Sequence, residues 1–100
     1  MDKIIISLVL LLNLSLKLRG QNTVKGIIQD NDSGKLLENI SITTNSTIIE
    51  TDINGVFVLL NIPNGEHIIT LEKDGYETQN LLIKFIEKTI DLGILFMQKE

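Results

Sequence analysis

The 100-residue chain has no cysteine and no tryptophan, and only one proline, one histidine, one tyrosine and three phenylalanines. Without cysteine there is no disulfide framework, no thiolate metal site and no residue to carry a lipid at the end of a leader. A single histidine, His67, excludes a zinc site built on a histidine pair. Long apolar runs are scarce too. One lies near the start, where Lys3 precedes Ile4 to Leu12, with Leu14 and Leu16 extending the run weakly towards Lys17 and Arg19. It is shorter than the roughly 20 apolar residues of a membrane-spanning helix. A cation, a short apolar stretch and a small residue at Gly20 form the plan of a signal peptide over residues 1–20. Cleavage is expected near Gly20/Gln21, with an uncleaved N-terminal anchor as the alternative.

Residues 21–100 then form the mature domain, with six basic and twelve acidic side chains. Nucleic-acid binding depends on Lys and Arg neutralising phosphates, often with aromatic stacking. Here the cations are scattered and the aromatics few, so nucleic acid is excluded as a partner. A domain of this length buries a modest share of its surface, and its stability is expected to be marginal.

From Asn22 onward, β-branched residues come in short runs separated by Asn, Asp, Gly and Pro, the pattern of an all-β domain. Seven strands are predicted: Thr23–Gln29, Leu36–Thr43, Thr47–Thr51, Val56–Leu60, Glu66–Lys73, Gln79–Ile86 and Thr89–Met97. Val24, Gly26 and Ile28 share one face of the first strand; Ile40 and Ile42 share one face of the second; His67, Ile69 and Leu71 share one face of the fifth. Asn54-Gly55 reads as a tight hairpin turn, because both residues tolerate positive φ. The uninterrupted apolar run Val56–Leu60 predicts a strand covered on both faces or central in its sheet. Pro63 and Gly65 close that strand. No segment has a helical period, so the expected fold is a seven-stranded antiparallel β-sandwich of transthyretin-like or Ig-like type.

The punctuation is more specific than the fold class. In order along the chain stand Gly26-Ile27-Ile28, Gly34-Lys35-Leu36-Leu37-Glu38-Asn39-Ile40-Ser41-Ile42, Thr51-Asp52-Ile53-Asn54-Gly55-Val56-Phe57, Asn61-Ile62-Pro63-Asn64-Gly65-Glu66-His67 and Asp74-Gly75-Tyr76-Glu77. This series resembles the carboxypeptidase regulatory-like domain over almost the whole of residues 21–100. Asp91-Leu92-Gly93 is similar to the closing strand of the version found at the N-terminus of TonB-dependent outer-membrane receptors. The resemblance implies a transthyretin-like sandwich without catalytic activity, found beside metallopeptidase domains or directly after a receptor's signal peptide. His67, Asn39 and Asn64 depart from it, standing where the family more often has an aromatic, Gly and Pro. The plug and barrel of a receptor are not among these 100 residues, so either a free-standing module or the front of a receptor is expected.

Few residues invite chemistry. The His-x-x-Glu pattern of metallocarboxypeptidases is absent, and His67 is expected to pack. Ser33, Ser41 and Ser46 fall in turns or on a polar strand face with no nucleophile elbow. Two acidic clusters, Asp30 and Asp32 with Gly34, and Asp52 with Asn54 and Gly55, lack the calcium-loop pattern. Asp and Asn bind their own backbone in turns, which accounts for both. Asn39-Ile40-Ser41 and Asn45-Ser46-Thr47 are glycosylation sequons on paper; in a chain with this bacterial resemblance they are attributed to chance. Tyr76 is expected to close one end of the core with its hydroxyl on nearby backbone, and Phe57, Phe85 and Phe96 to fill that core. No catalytic, cofactor-binding or metal-ligating residue is assigned, and no cofactor. The expected function is a non-catalytic interaction module of the periplasm, outer membrane or cell surface, binding another envelope protein or the rest of a receptor through loops or a sheet edge. A carbohydrate- or small-ligand-binding sandwich is the alternative, disfavoured by the lack of Trp and the single Tyr.

Overall fold

The computed structural model describes residues 22–45 and 47–100. The expected signal peptide, residues 1–20, lies outside the described residues, as does Ser46. The described residues form seven strands: β1 (Asn22–Asp30), β2 (Ser41–Thr44), β3 (Thr47–Glu50), β4 (Val56–Ile62), β5 (Gly65–Glu72), β6 (Gln79–Phe85) and β7 (Thr89–Met97). They make two sheets, one ordered β4-β1-β7 and one ordered β3-β2-β5-β6. Val24, Ile28, Phe57, Leu59 and Ile62 from the first sheet meet Ile42, Ile69, Leu71 and Phe85 from the second in one buried core. Burial alternates along β1, with Val24, Gly26 and Ile28 inward, as the period of two requires.

The pairings amend the expectation of wholly antiparallel sheets. β1 pairs with β4 antiparallel but with β7 parallel, Ile28 lying opposite Leu95 and Asp30 opposite Met97. Apolar alternation is the same whichever way a strand runs, so it marks the buried face without marking direction. Both neighbours of β1 are also bulged. The three residues from Asn22 to Val24 of β1 face four of β4, Leu59 to Ile62, among which Asn61 has φ 60°. The three residues from Lys25 to Ile27 face four of β7, Asp91 to Ile94, among which Gly93 has φ 66°. Each extra residue resets the alternation, which brings both Leu59 and Ile62 inward.

Three further expectations are corrected. Leu36–Thr43 is not one strand: only Ser41–Thr44 is extended, because Asn39 at φ 60° turns the chain before it. Residues 36–40 form a loop whose Leu37 and Ile40 still enter the core. Asn54-Gly55 makes a tight turn but no hairpin, since β3 and β4 belong to different sheets. Gly55 has φ 73°, and a β-carbon there would stand 2.6 Å from the Ile28 carbonyl oxygen, so the chain crosses between sheets hard against β1. Finally, β4 is an edge strand with one covered face. Phe57 and Leu59 are buried, while Val58 and Leu60 are 46% and 60% exposed.

Candidate interaction surface

The outward face of the three-stranded sheet is unusually apolar for a surface. One row across it consists of Val56, Ile27 and Ile94, set opposite one another by the β4-β1 and β1-β7 registers. Phe96 stands beside Gln29 in the next outward row, and Val58 beside Lys25, which in turn faces Asp91. Ile94 and Phe96 are each half exposed. Phe96, expected in the core, therefore lies on this outer face, because the bulge at Gly93 puts Leu95 and Met97 inward in its place. The outer face of the four-stranded sheet is more mixed. Ile68 and Leu82 pair there, but Thr70 donates to Asn80 Oδ1 at 2.7 Å and Glu66 faces Lys84. Contiguous apolar surface of the first kind marks a contact surface more often than scattered exposed aliphatics do.

Both ends of the sandwich are closed by polar side chains. At one end, Asp30 terminates β1 and is buried. Its Oδ1 accepts from the backbone N–H groups of Asp32 and Ser33, both at 2.9 Å, and its Oδ2 accepts from the Tyr76 hydroxyl at 2.7 Å. The Tyr76 hydroxyl, together with those amides, holds the Asp30 carboxyl well below the usual carboxylate range. The same bond pushes the Tyr76 phenol above its ordinary value, because ionising it would set two anions side by side. Tyr76 thus closes the core end as expected, but on a carboxylate and not on backbone. The other acidic cluster is likewise a turn: Asp52 Oδ1 accepts from the amides of Asn54 and Val56 at 2.9 Å each.

At the opposite end, Asn22 is wholly buried. Its Nδ2 donates to the Ile62 carbonyl at 2.7 Å and to Asn64 Oδ1 at 2.9 Å, while its Oδ1 accepts from Lys88 N–H at 2.9 Å. Asn64 Oδ1 also accepts from Glu87 N–H at 2.9 Å. One side chain therefore joins the start of β1 to the β4–β5 and β6–β7 turns. Sequence reasoning missed it, since a polar residue flanking a strand reads as a turn. Buried Thr51 plays a similar part, accepting from Ile40 N–H at 2.9 Å and donating to the Leu37 carbonyl at 2.7 Å.

His67 packs against Phe85, ring centroids 6.0 Å apart, and its Nε2 lies 3.0 Å from the Pro63 carbonyl, to which it donates. Ser33 Oγ accepts from Lys35 N–H at 3.2 Å within its turn. Asn39 and Asn45, heads of the two sequons, are both exposed at positive φ. Among the described residues no helix is long and apolar enough to cross a membrane.

No protein-family model matches the chain, and no curated protein matches it. Solved structures do. A chain of a type II cohesin–X-dockerin complex from Acetivibrio cellulolyticus is 19% identical with a TM-score of 0.66, over 78% of this chain and 58% of that one. The 5-hydroxyisourate hydrolase of Klebsiella pneumoniae is 12% identical with a TM-score of 0.61, over 79% of this chain and 98% of that one. The pilus 2b backbone protein of group B streptococcus is 11% identical with a TM-score of 0.57, over 77% and 40%. This chain spans little more than half the length of the cohesin–X-dockerin chains it matches. At such identities the likeness is one of fold: a seven-stranded sandwich similar to transthyretin-like and Ig-like domains.

Proposed function

We propose that the protein is a non-catalytic, exported interaction module of the bacterial cell envelope, which lays the outer face of its three-stranded sheet against another envelope protein or the rest of a receptor. The observation that carries this reading is the apolar row Val56, Ile27 and Ile94, extended by Val58 and Phe96, on a face that no other described segment covers. A surface of this kind is disfavoured in water and is stabilised by a partner that removes it from solvent. The resemblance to the regulatory-like domain in front of TonB-dependent receptors supports an envelope location, and the likeness to a pilus backbone protein and to a cohesin–X-dockerin chain supports an interaction role. The non-catalytic part rests on how the reactive side chains are engaged: His67 with Pro63 and Phe85, Tyr76 with Asp30, and Ser33 within its own turn. The glycan-binding alternative gains little from Phe96, a single half-exposed ring with aliphatic Ile94 near it and no second exposed aromatic among the described residues to stack a sugar.

Site-specific photocrosslinking in the organism that makes the protein tests the reading. A photoreactive residue at Val58 or Ile94 is expected to yield a discrete adduct with one envelope protein, and the same residue at Leu82, on the other sheet, none. Equal adducts from both sheets, or none from Val58 and Ile94, would refute the assignment of this face.

A further inference from the structure

Beside the Asp30–Tyr76 pair opens a pocket of about 390 Å³, at the end of the sandwich and apart from the apolar sheet face. Lys35, Lys73 and Lys99 line it, half of the six cations in residues 22–100, against twelve carboxylates in the same stretch. Asp30 and Glu38 line it too, so its side chains still sum to one net positive charge in a domain that is acidic as a whole, which favours an anion there.

Neither carboxylate uses these charges up: Asp30 has one long lysine contact, and Glu38 meets Lys73 through its backbone carbonyl. Asp30 already accepts three short hydrogen bonds, from Asp32, Ser33 and Tyr76. Lys99 Nζ stands 3.9 Å from Asp30 Oδ2, too far for a hydrogen bond, and its side chain is 60% exposed. Lys73 donates to the Glu38 carbonyl at 2.9 Å, which leaves two of its three N–H groups free to turn elsewhere. Lys35 is exposed on a turn whose backbone is fixed, its carbonyl accepting from Asp30 N–H at 2.8 Å and its N–H bound to Ser33 Oγ. The ammonium groups are therefore carried on a rigid frame. Leu36 and Ile53, both exposed, line the same pocket. Lysine ammoniums beside the exposed aliphatic side chains of Leu36 and Ile53 suit an anion carried on an aliphatic chain, such as a carboxylate next to an apolar side chain.

We propose that this pocket binds a peptide carboxylate adjacent to an aliphatic side chain, the oxyanion held by Lys35 and Lys99 and the aliphatic group lying on Leu36 and Ile53. The carboxylate can belong to an acidic side chain or to a chain terminus. This proposal does not depend on the role of the sheet face.

Titration of the ¹⁵N-labelled full chain, followed by amide chemical shifts, tests it with N-acetyl-Val-Leu-Glu-amide for the side-chain carboxylate and N-acetyl-Val-Leu for the terminal one. Saturable shifts at Ser33, Lys35, Leu37 and Tyr76 are expected with at least one peptide at about 20 mM, well above a millimolar dissociation constant. Which peptide binds identifies the source of the carboxylate. The neutral N-acetyl-Val-Leu-Gln-amide should bind at least about ten-fold more weakly, the loss set by one charge-assisted hydrogen bond. The double variant K35E/K99E should lose binding, while K84E/K88E, with the same charge change away from the pocket, should stay within about two-fold of the parent. Circular dichroism confirms that each variant is folded. The proposal is overturned by no saturable shift, by equal binding of the neutral peptide, by the same shifts from inorganic phosphate, or by equal weakening in the two double variants.

Discussion

Gly26 and Phe57 offer a test of the core in which the sign of one substitution reverses with the other. Gly26 lies on the inward face of β1, and a β-carbon there would stand 2.8 Å from Phe57 Cε1 and 3.0 Å from Cζ. Phe57 is 2% exposed, so its ring has no free space to turn into. Glycine in a strand interior ordinarily costs about 0.5–1 kcal/mol relative to alanine, and G26A would recover that if nothing opposed it. Overpacking opposes it by about 1–3 kcal/mol, so the net effect expected is a loss of about 1–2 kcal/mol. F57L removes the ring atoms that the new methyl would strike, itself costing about 1–2 kcal/mol, whereas F57A costs about 3–5 kcal/mol. In the F57L background, G26A is expected to be neutral or stabilising, a coupling of about 1–3 kcal/mol within the range seen for residues in contact. Urea denaturation of the four proteins, read as midpoint shifts at constant slope, measures the cycle. If G26A costs the same in both backgrounds to within about 0.5 kcal/mol, the ring does not sit over Gly26. A melting temperature for F57A within a few degrees of the parent would refute the core assignment itself.

Y76F removes the largest cause of the lowered Asp30 carboxyl. A carboxylate depressed on folding contributes stability that is present above its unfolded pKa and lost as pH falls towards its folded one. Urea midpoints should therefore show Y76F less stable than the parent at neutral pH, with the difference shrinking between about pH 4 and pH 2; a constant difference would mean the hydroxyl does not act through Asp30. N22A leaves the Ile62 carbonyl and the Lys88 N–H without their partners in a buried site, a loss of about 2–3 kcal/mol by urea denaturation, with faster amide exchange at Glu87 and Lys88. A loss under about 0.5 kcal/mol would show that water replaces the side chain there. Calcium should leave the melting temperature unchanged, because Asp30 and Asp52 direct their oxygens to backbone amides. A saturable rise would give one of the turns a second role.

What the sequence made legible is what depends on neighbours along the chain. Six of the seven strands, the inward faces of β1, β2 and β5, and the turn chemistry of Asp30, Asp52 and Gly55 all follow from period and local bonding. Partners distant in sequence were hidden. Tyr76 is 46 residues from Asp30 and Asn22 is 66 from Lys88, and no local pattern distinguishes a carboxylate from a carbonyl as the acceptor of a tyrosine hydroxyl. The parallel β1–β7 pair was hidden because alternation carries no direction. Phe96 was misplaced because one extra residue at Gly93 inverts the alternation beyond it.

The hidden contacts are also those that fix the register of the central strand. A slip of β1 by two residues would keep every apolar side chain on its present face, so burial alone opposes it weakly. That slip moves each end of the strand by about 6.6 Å, and β1 is held at both ends by buried polar groups with distant partners. Asn22 would leave Ile62 and Lys88, and Asp30 would leave Tyr76, although both side chains are almost wholly buried. The cost of stranding those groups exceeds what a shifted but still apolar core could return. The apolar alternation thus selects the faces of the sandwich, and Asn22 and Asp30 select its register, which in turn sets Ile27 between Val56 and Ile94 on the outer face and brings the end of β1 into the lysine-lined pocket.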